Sequence, residues 1–126
     1  MGPVDIHVDR LREREPDLQV EALPDGSRVI SIPAVPLPPG WNKPQTAVHL
    51  VAPPGYPFAQ PDCFWTEQDL RLSTGALPQN ANLTNPIPHL GRPMLWFSWH
   101  LQFWNAARDD LTTWLTVIRQ RLAQPV

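Results

Sequence analysis

The chain has 126 residues, enough for one buried core and too few for two. Ten Lys and Arg against twelve Asp and Glu give a formal charge of −2, leaving no basic excess to neutralise a phosphate backbone, so nucleic-acid binding is not expected. A single cysteine, Cys63, excludes an internal disulfide and suits a reducing compartment, the cytoplasm. No apolar run approaches the ~20 residues a bilayer crossing needs. Charges fill the opening "MGPVDIHVDRLRERE", where a signal peptide is apolar, so neither membrane insertion nor export is expected. Seventeen of the residues are proline, more than twice the usual share. With 42% apolar residues and six tryptophans the chain is still too rich in core-forming side chains to be disordered.

Val4, Val8 and Leu11 recur at helical spacing among charged residues until Pro16, which predicts a short amphipathic helix over residues 4–15. Leu18 to Leu23 and Ser27 to Val35 alternate or are β-branched and flank Pro-Asp-Gly, the pattern of a hairpin. "VPLPPGW" is too proline-rich for a central strand and reads as a loop or edge, "QTAVHLVAP" as a third strand and "DCFWTE" as a fourth. Residues 66–95 show no sustained period and carry Gly75, Gly91 and several prolines, so they are expected to be irregular. A loop well beyond ~12–15 residues in a compact domain is functional or disordered. Leu111, Trp114, Leu115, Ile118 and Leu122 then define a closing helix, with Asp109 and Asp110 at its positive start and Arg119 and Arg121 near its negative end. The expected fold is α+β: an N-terminal helix, a four-stranded antiparallel meander, a long irregular segment carrying any site, and a C-terminal helix crossing the sheet, with both helices on one face. No repeat or linker divides it, so residues 1–126 read as one domain.

"GYPFAQPDCFW" and, further on, "WFSWHLQFWNAARDDLTTWL" together resemble the ubiquitin-conjugating enzyme (UBC) superfamily. Tyr56, Pro57, Phe58 and Pro61 match its Tyr-Pro-Phe-x-x-Pro turn into the fourth strand, and Trp104 matches the tryptophan before its crossover helix. "PPGYP", "PD", the Ser-x-His of "FSWH" and "W…DDL" resemble a prokaryotic branch most, the E-type conjugating-enzyme-like family. The chain departs from the eukaryotic pattern in three places. No cysteine lies in the several residues before Trp104, where eukaryotic members carry their thioester, and Ser98 and His100 occupy the neighbourhood. The His-Pro-Asn tripeptide is absent, "NPIPH" holding its residue types in another order. The chain also ends soon after the crossover helix, so the family's further C-terminal helices are expected to be missing.

The resemblance implies a protein that accepts a ubiquitin-like modifier from an activating enzyme and passes it to an amine on an acceptor protein. No cofactor is required, because the activating partner spends the ATP. Ser98 is then the candidate acyl carrier, forming an oxyester. A serine needs a base to take its proton, and His100, two residues away, lies on the same side of an extended stretch. Imidazole titrates close enough to neutrality for that task. Two other readings of His100 stand: a ring lodged among Trp96, Trp99 and Trp104, or an acyl carrier itself. Ser98 could equally bond local backbone in a turn.

Cys63, in a predicted strand with no basic neighbour in sequence, reads as a small buried hydrophobe. His89 could line the same cleft or stand exposed in its loop. Asn82 and Asn85 could offer amide donors to an oxyanion or simply occupy turns beside proline. Asp109 and Asp110 could orient an amine or serve the helix dipole. Arg10, Arg12 and Arg14 are the implied activating-enzyme contacts, or a solvated face. His7 and His49 have no evident partner, and no His-x-x-x-His or phosphate-loop spacing occurs, so no metal or nucleotide site is expected. A catalytically silent binding module on the same fold is the competing function, and an unrelated helix-on-sheet adaptor a third.

Overall fold

The computed structural model describes residues 2–126. Helix α1 (Pro3–Arg12) opens on a proline, whose missing N–H is an unpaired donor position anyway. It ends before Pro16, its last turn closed by the N–H groups of Arg14 and Glu15, which both donate to the Leu11 carbonyl at 3.0 and 2.9 Å. Strands β1 (Gln19–Ala22) and β2 (Arg28–Pro36) form the expected hairpin. Its turn needs the positive φ of Gly26, +93°, and is braced by the Asp25 carboxylate, which accepts the Ser27 N–H at 2.9 Å. Strand β3 (Gln45–Ala52) pairs with β2, with a register shift between Ile32 and Val35, where Pro33 has no N–H to give the ladder. Strand β4 (Phe64–Thr66) follows the proline turn.

The segment expected to be irregular contains two further strands, β5 (Ala81–Asn82) and β6 (Leu95–Phe97). They extend the four-stranded meander to six antiparallel strands in the order β1-β2-β3-β4-β6-β5. At two and three residues they are too short to show a period. What creates β6 is its partner: it pairs Phe64 with Phe97, Trp65 with Trp96 and Thr66 with Leu95, and the Phe64 and Phe97 rings stack at 4.6 Å between centroids.

Both helices cover one sheet face. Val8 and Leu11 of α1 and Leu111, Trp114, Leu115, Ile118 and Leu122 of α2 (Leu111–Leu122) pack on Ile30, Ile32, Val48, Leu50, Phe64 and Phe97. The other face carries a smaller cluster of Val29, Cys63 and Trp65, closed by Ile87 and Met94 from the loop between β5 and β6. Asp110 caps α2, accepting the Thr113 N–H at 3.1 Å. Arg121, near the negative end of α2, is buried. Its guanidinium lies 5.3 Å from both the Phe97 and Trp99 ring centroids and donates to the Gln79 and Gln124 carbonyls at 2.9 Å.

The turn carrying the family resemblance is clasped from two sides. The Trp104 indole N–H donates to the Pro57 carbonyl at 2.7 Å, and the Tyr56 hydroxyl meets His7 Nδ1 at 2.6 Å. His7 and also His49, which meets the Ser31 hydroxyl at 2.7 Å, therefore have partners that sequence spacing did not reveal. Among the described residues, no helix is long and apolar enough to cross a membrane.

Two measurements check this packing. Phe97→Ala should destabilise the fold by about 3–5 kcal/mol in chemical denaturation, the cost of emptying a buried aromatic site. Burial first, and then the Arg10 cation, hold His7 below the usual imidazole range. A folded value below the unfolded one means stability is complete above about pH 6.5 and is lost as pH falls through the depressed value. Thermal melts across that window should show this loss, and His7→Gln should reduce it, leaving the part due to His49, whose imidazole is likewise held below its usual range by burial and then by Arg92.

Candidate active site

Asp62 immediately precedes the residues leading into β4, and Ser98 and His100 immediately follow β6. Because those two strands run antiparallel with Phe64 opposite Phe97, the chain before one meets the chain after the other. The ladder is prolonged past the strands by the Cys63 N–H, which donates to the Trp99 carbonyl at 2.9 Å, and Ser98 is tied on its other side by its N–H to the Asn80 carbonyl at 2.7 Å. Register alone therefore carries Asp62 to His100 across 38 positions of sequence.

His100 Nδ1 is hydrogen-bonded to an Asp62 carboxylate oxygen, and its Nε2 faces Ser98 Oγ at 3.4 Å. A carboxylate only accepts, so Nδ1 carries a proton, and in the neutral ring Nε2 is the acceptor toward which the Ser98 hydroxyl donates. The order carboxylate, imidazole, hydroxyl is that of an activated serine, with the Ser–His contact at the long end, as is common before substrate binds. The ring is not lodged among tryptophans: the side chains of His100 and Asp62 are 57% and 54% exposed, and Trp99 turns to Arg121. Ser98 is half-buried, and its hydroxyl bonds His100 and not local backbone. A largely apolar cavity of about 220 Å³, lined by Leu23, Val51, Pro53, Trp65 and Ile87, reaches Asp62.

Cys63 is buried, as expected, in the left-handed conformation with φ +60°. Burial pushes its thiol pKa up, and the Asp62 charge pushes it further. A protonated, covered thiol is a poor nucleophile.

The remaining candidates stand apart from this group. His89 is exposed at φ +70° and close enough to Asp25 to help hold that carboxyl below its usual range, behind the larger effect of the Ser27 hydrogen bonds. Asn85 gives its amide to Asn82 Oδ1 at 3.0 Å and its carbonyl to the Trp65 indole N–H at 2.7 Å, and Asn82 Oδ1 also accepts the Thr84 N–H. Asp110 serves the α2 cap and an ion pair with Arg10 at 3.3 Å. Asp109 accepts the Asn105 N–H at 2.8 Å. Arg12 pairs with Asp9, and Arg10 and Arg14 border an open groove between α1 and α2. Asp62 is the member of the site that sequence reasoning missed. Its signals were an aspartate next to a strand and its place in the "PD" of the family resemblance, and recognising its partner required β6.

A sheet with its Tyr-Pro-Phe turn clasped to a tryptophan and a crossover helix behind it is the frame of a ubiquitin-conjugating-enzyme-like protein. Residues 6–125 match the family described as prokaryotic E2 family E, and the chain belongs to that family. No curated protein and no solved structure matches it.

The burial of Cys63 has a direct readout. Iodoacetamide should alkylate it at neutral pH more slowly than it alkylates a free cysteine, and unfolding in urea should restore the ordinary rate.

Proposed function

We propose that the protein is a modifier-conjugating acyltransferase that carries a ubiquitin-like protein as an oxyester on Ser98. The observation that carries this reading is the Asp62–His100–Ser98 chain of hydrogen bonds. His100 Nε2 takes the hydroxyl proton as Ser98 Oγ attacks the activated C-terminal carbonyl of the modifier, presented by an activating enzyme. The bond from that carbonyl to its leaving group breaks, and His100 returns the proton to the leaving group. An amine of the acceptor protein then attacks the ester, His100 takes the amine proton, and Ser98 recovers its hydrogen. Asp62 holds the tautomer and balances the imidazolium while it exists. The open face of His100 leaves room for two protein partners in turn. His89, Asn85 and Asp110 have places in the fold that account for them without a role in this step. Arg10 and Arg14 remain the proposed contacts for the activating enzyme, on the helix the family resemblance assigns to that partner. A reducing cytoplasm suits the single free thiol.

The test is a denaturing gel after incubation with activating enzyme, modifier and ATP. An adduct that survives reductant, is cleaved by mild base and is absent in Ser98→Ala is expected. His100→Gln should slow its formation by about 10²–10⁴-fold, the usual worth of a general base, and Asp62→Asn should slow it less. An adduct that forms on Ser98→Ala overturns the assignment. Modifier binding with no adduct points instead to a non-catalytic module.

A further inference from the structure

Asp62, Cys63 and His100 present one ligand atom each, an oxygen, a sulfur and a nitrogen, all within 4.8 Å of one another. A tetrahedral zinc ion with bonds of about 2.0–2.3 Å holds its ligands somewhat closer than that, within reach of small side-chain rotations. The mixture of thiolate, imidazole and carboxylate is a donor set for zinc and not for magnesium or calcium. Cys63 itself sits at φ +60° with its N–H on the Trp99 carbonyl, so its position is set by the backbone at the end of the β4–β6 ladder. No sequence spacing announces the group, because the β4–β6 register assembles it.

We infer that Asp62, Cys63 and His100 form a three-ligand zinc site, open at its fourth position, whose occupation switches off the Ser98 hydroxyl. The exposed Asp62 and His100 give the ion a route in from solvent, and the covered Cys63 closes the site from behind. On binding, the Cys63 S–H bond breaks, its proton leaves to solvent and the sulfur bonds zinc, while Asp62 and His100 each donate a lone pair; nothing is oxidised or reduced. His100 Nδ1, the nitrogen already against Asp62, is the one placed to join it on the ion. Its proton then resides on Nε2, so the ring donates to Ser98 in place of accepting from it, and the base is lost. The inhibitory half of this inference rests on the acyl-Ser98 reading; the metal site does not.

Cobalt(II) is the probe, titrated into the full chain under a non-chelating phosphine reductant. A near-ultraviolet thiolate-to-cobalt band saturating at one equivalent and displaced by zinc is expected. Cys63→Ala, its fold checked by circular dichroism, should lose the band and weaken zinc binding by about 100-fold or more, and Asp62→Asn should weaken binding by about 10–100-fold. Absence of the band in the wild type, or its persistence in Cys63→Ala, overturns the site. In the gel assay, one equivalent of zinc preloaded on the wild type should cut adduct formation at least tenfold, on the order of a displaced general base. Cys63→Ala should form adduct normally with or without zinc, which also controls for zinc acting on the activating enzyme. Adduct formation by zinc-loaded wild type at the metal-free rate overturns the switch. If no adduct forms with any variant, the acyl-Ser98 reading fails, and the cobalt titration still decides the metal site.

Discussion

The pairing of two three-residue strands governs everything of interest in this molecule. Strands β4 and β6 share only three residue pairs, yet their register determines what lies at the strand ends, since a slip of one residue would exchange the two faces of the sheet. The stacked rings of Phe64 and Phe97, both fully buried, resist such a slip because they would have to leave the helix-covered core. From the opposite face Trp65 pairs with Trp96 and anchors its indole N–H on the loop at Asn85. The buried guanidinium of Arg121 closes the far side, lying against Phe97 and Trp99 at once. Polar residues just beyond the strand ends are thereby held by a ladder whose own side chains are in the core.

In the reading proposed here, environment sorts the neighbouring oxygen and sulfur at this ladder end as nucleophiles. Cys63 has the intrinsically better nucleophilic atom, but it belongs to the second hydrophobic cluster, where a thiolate loses its hydration, and Asp62 opposes its charge. Ser98 is the weaker atom in water and stands half-covered beside a base with a carboxylate behind it. The same imidazole is within reach of both groups, so its tautomer, set by what occupies Nδ1, is the control point of the site in the reading proposed here.

The clasp around the proline turn has a different function in the architecture. Tyr56 binds α1 through His7, and Pro57 binds the chain before α2 through Trp104. Two helices from opposite ends of the sequence are thereby fastened to the one turn that leads to Asp62. Tyr56, Pro57 and Trp104, which carry part of the family resemblance in sequence, are thus mechanical residues, next to the site but not in it.

Local pattern was sufficient for α1, the hairpin, β3, β4 and α2, because each is long enough to repeat its period or is bounded by a proline or glycine signal. It was also sufficient for the Ser98–His100 pair, two residues apart, and for the buried character of Cys63. It was not sufficient for β5 and β6, whose two and three residues carry no period and acquire strand geometry only from a partner. Everything dependent on that pairing was invisible for the same reason: Asp62 behind His100, the Asp62–Cys63–His100 cluster, and the contact of Arg121 with Phe97 and Trp99. Sequence determined the elements and their order through short-range sterics and periodicity. Tertiary structure decided which distant side chains meet, because only the packing of Phe64 on Phe97 specifies where the end of one strand lies against the start of another.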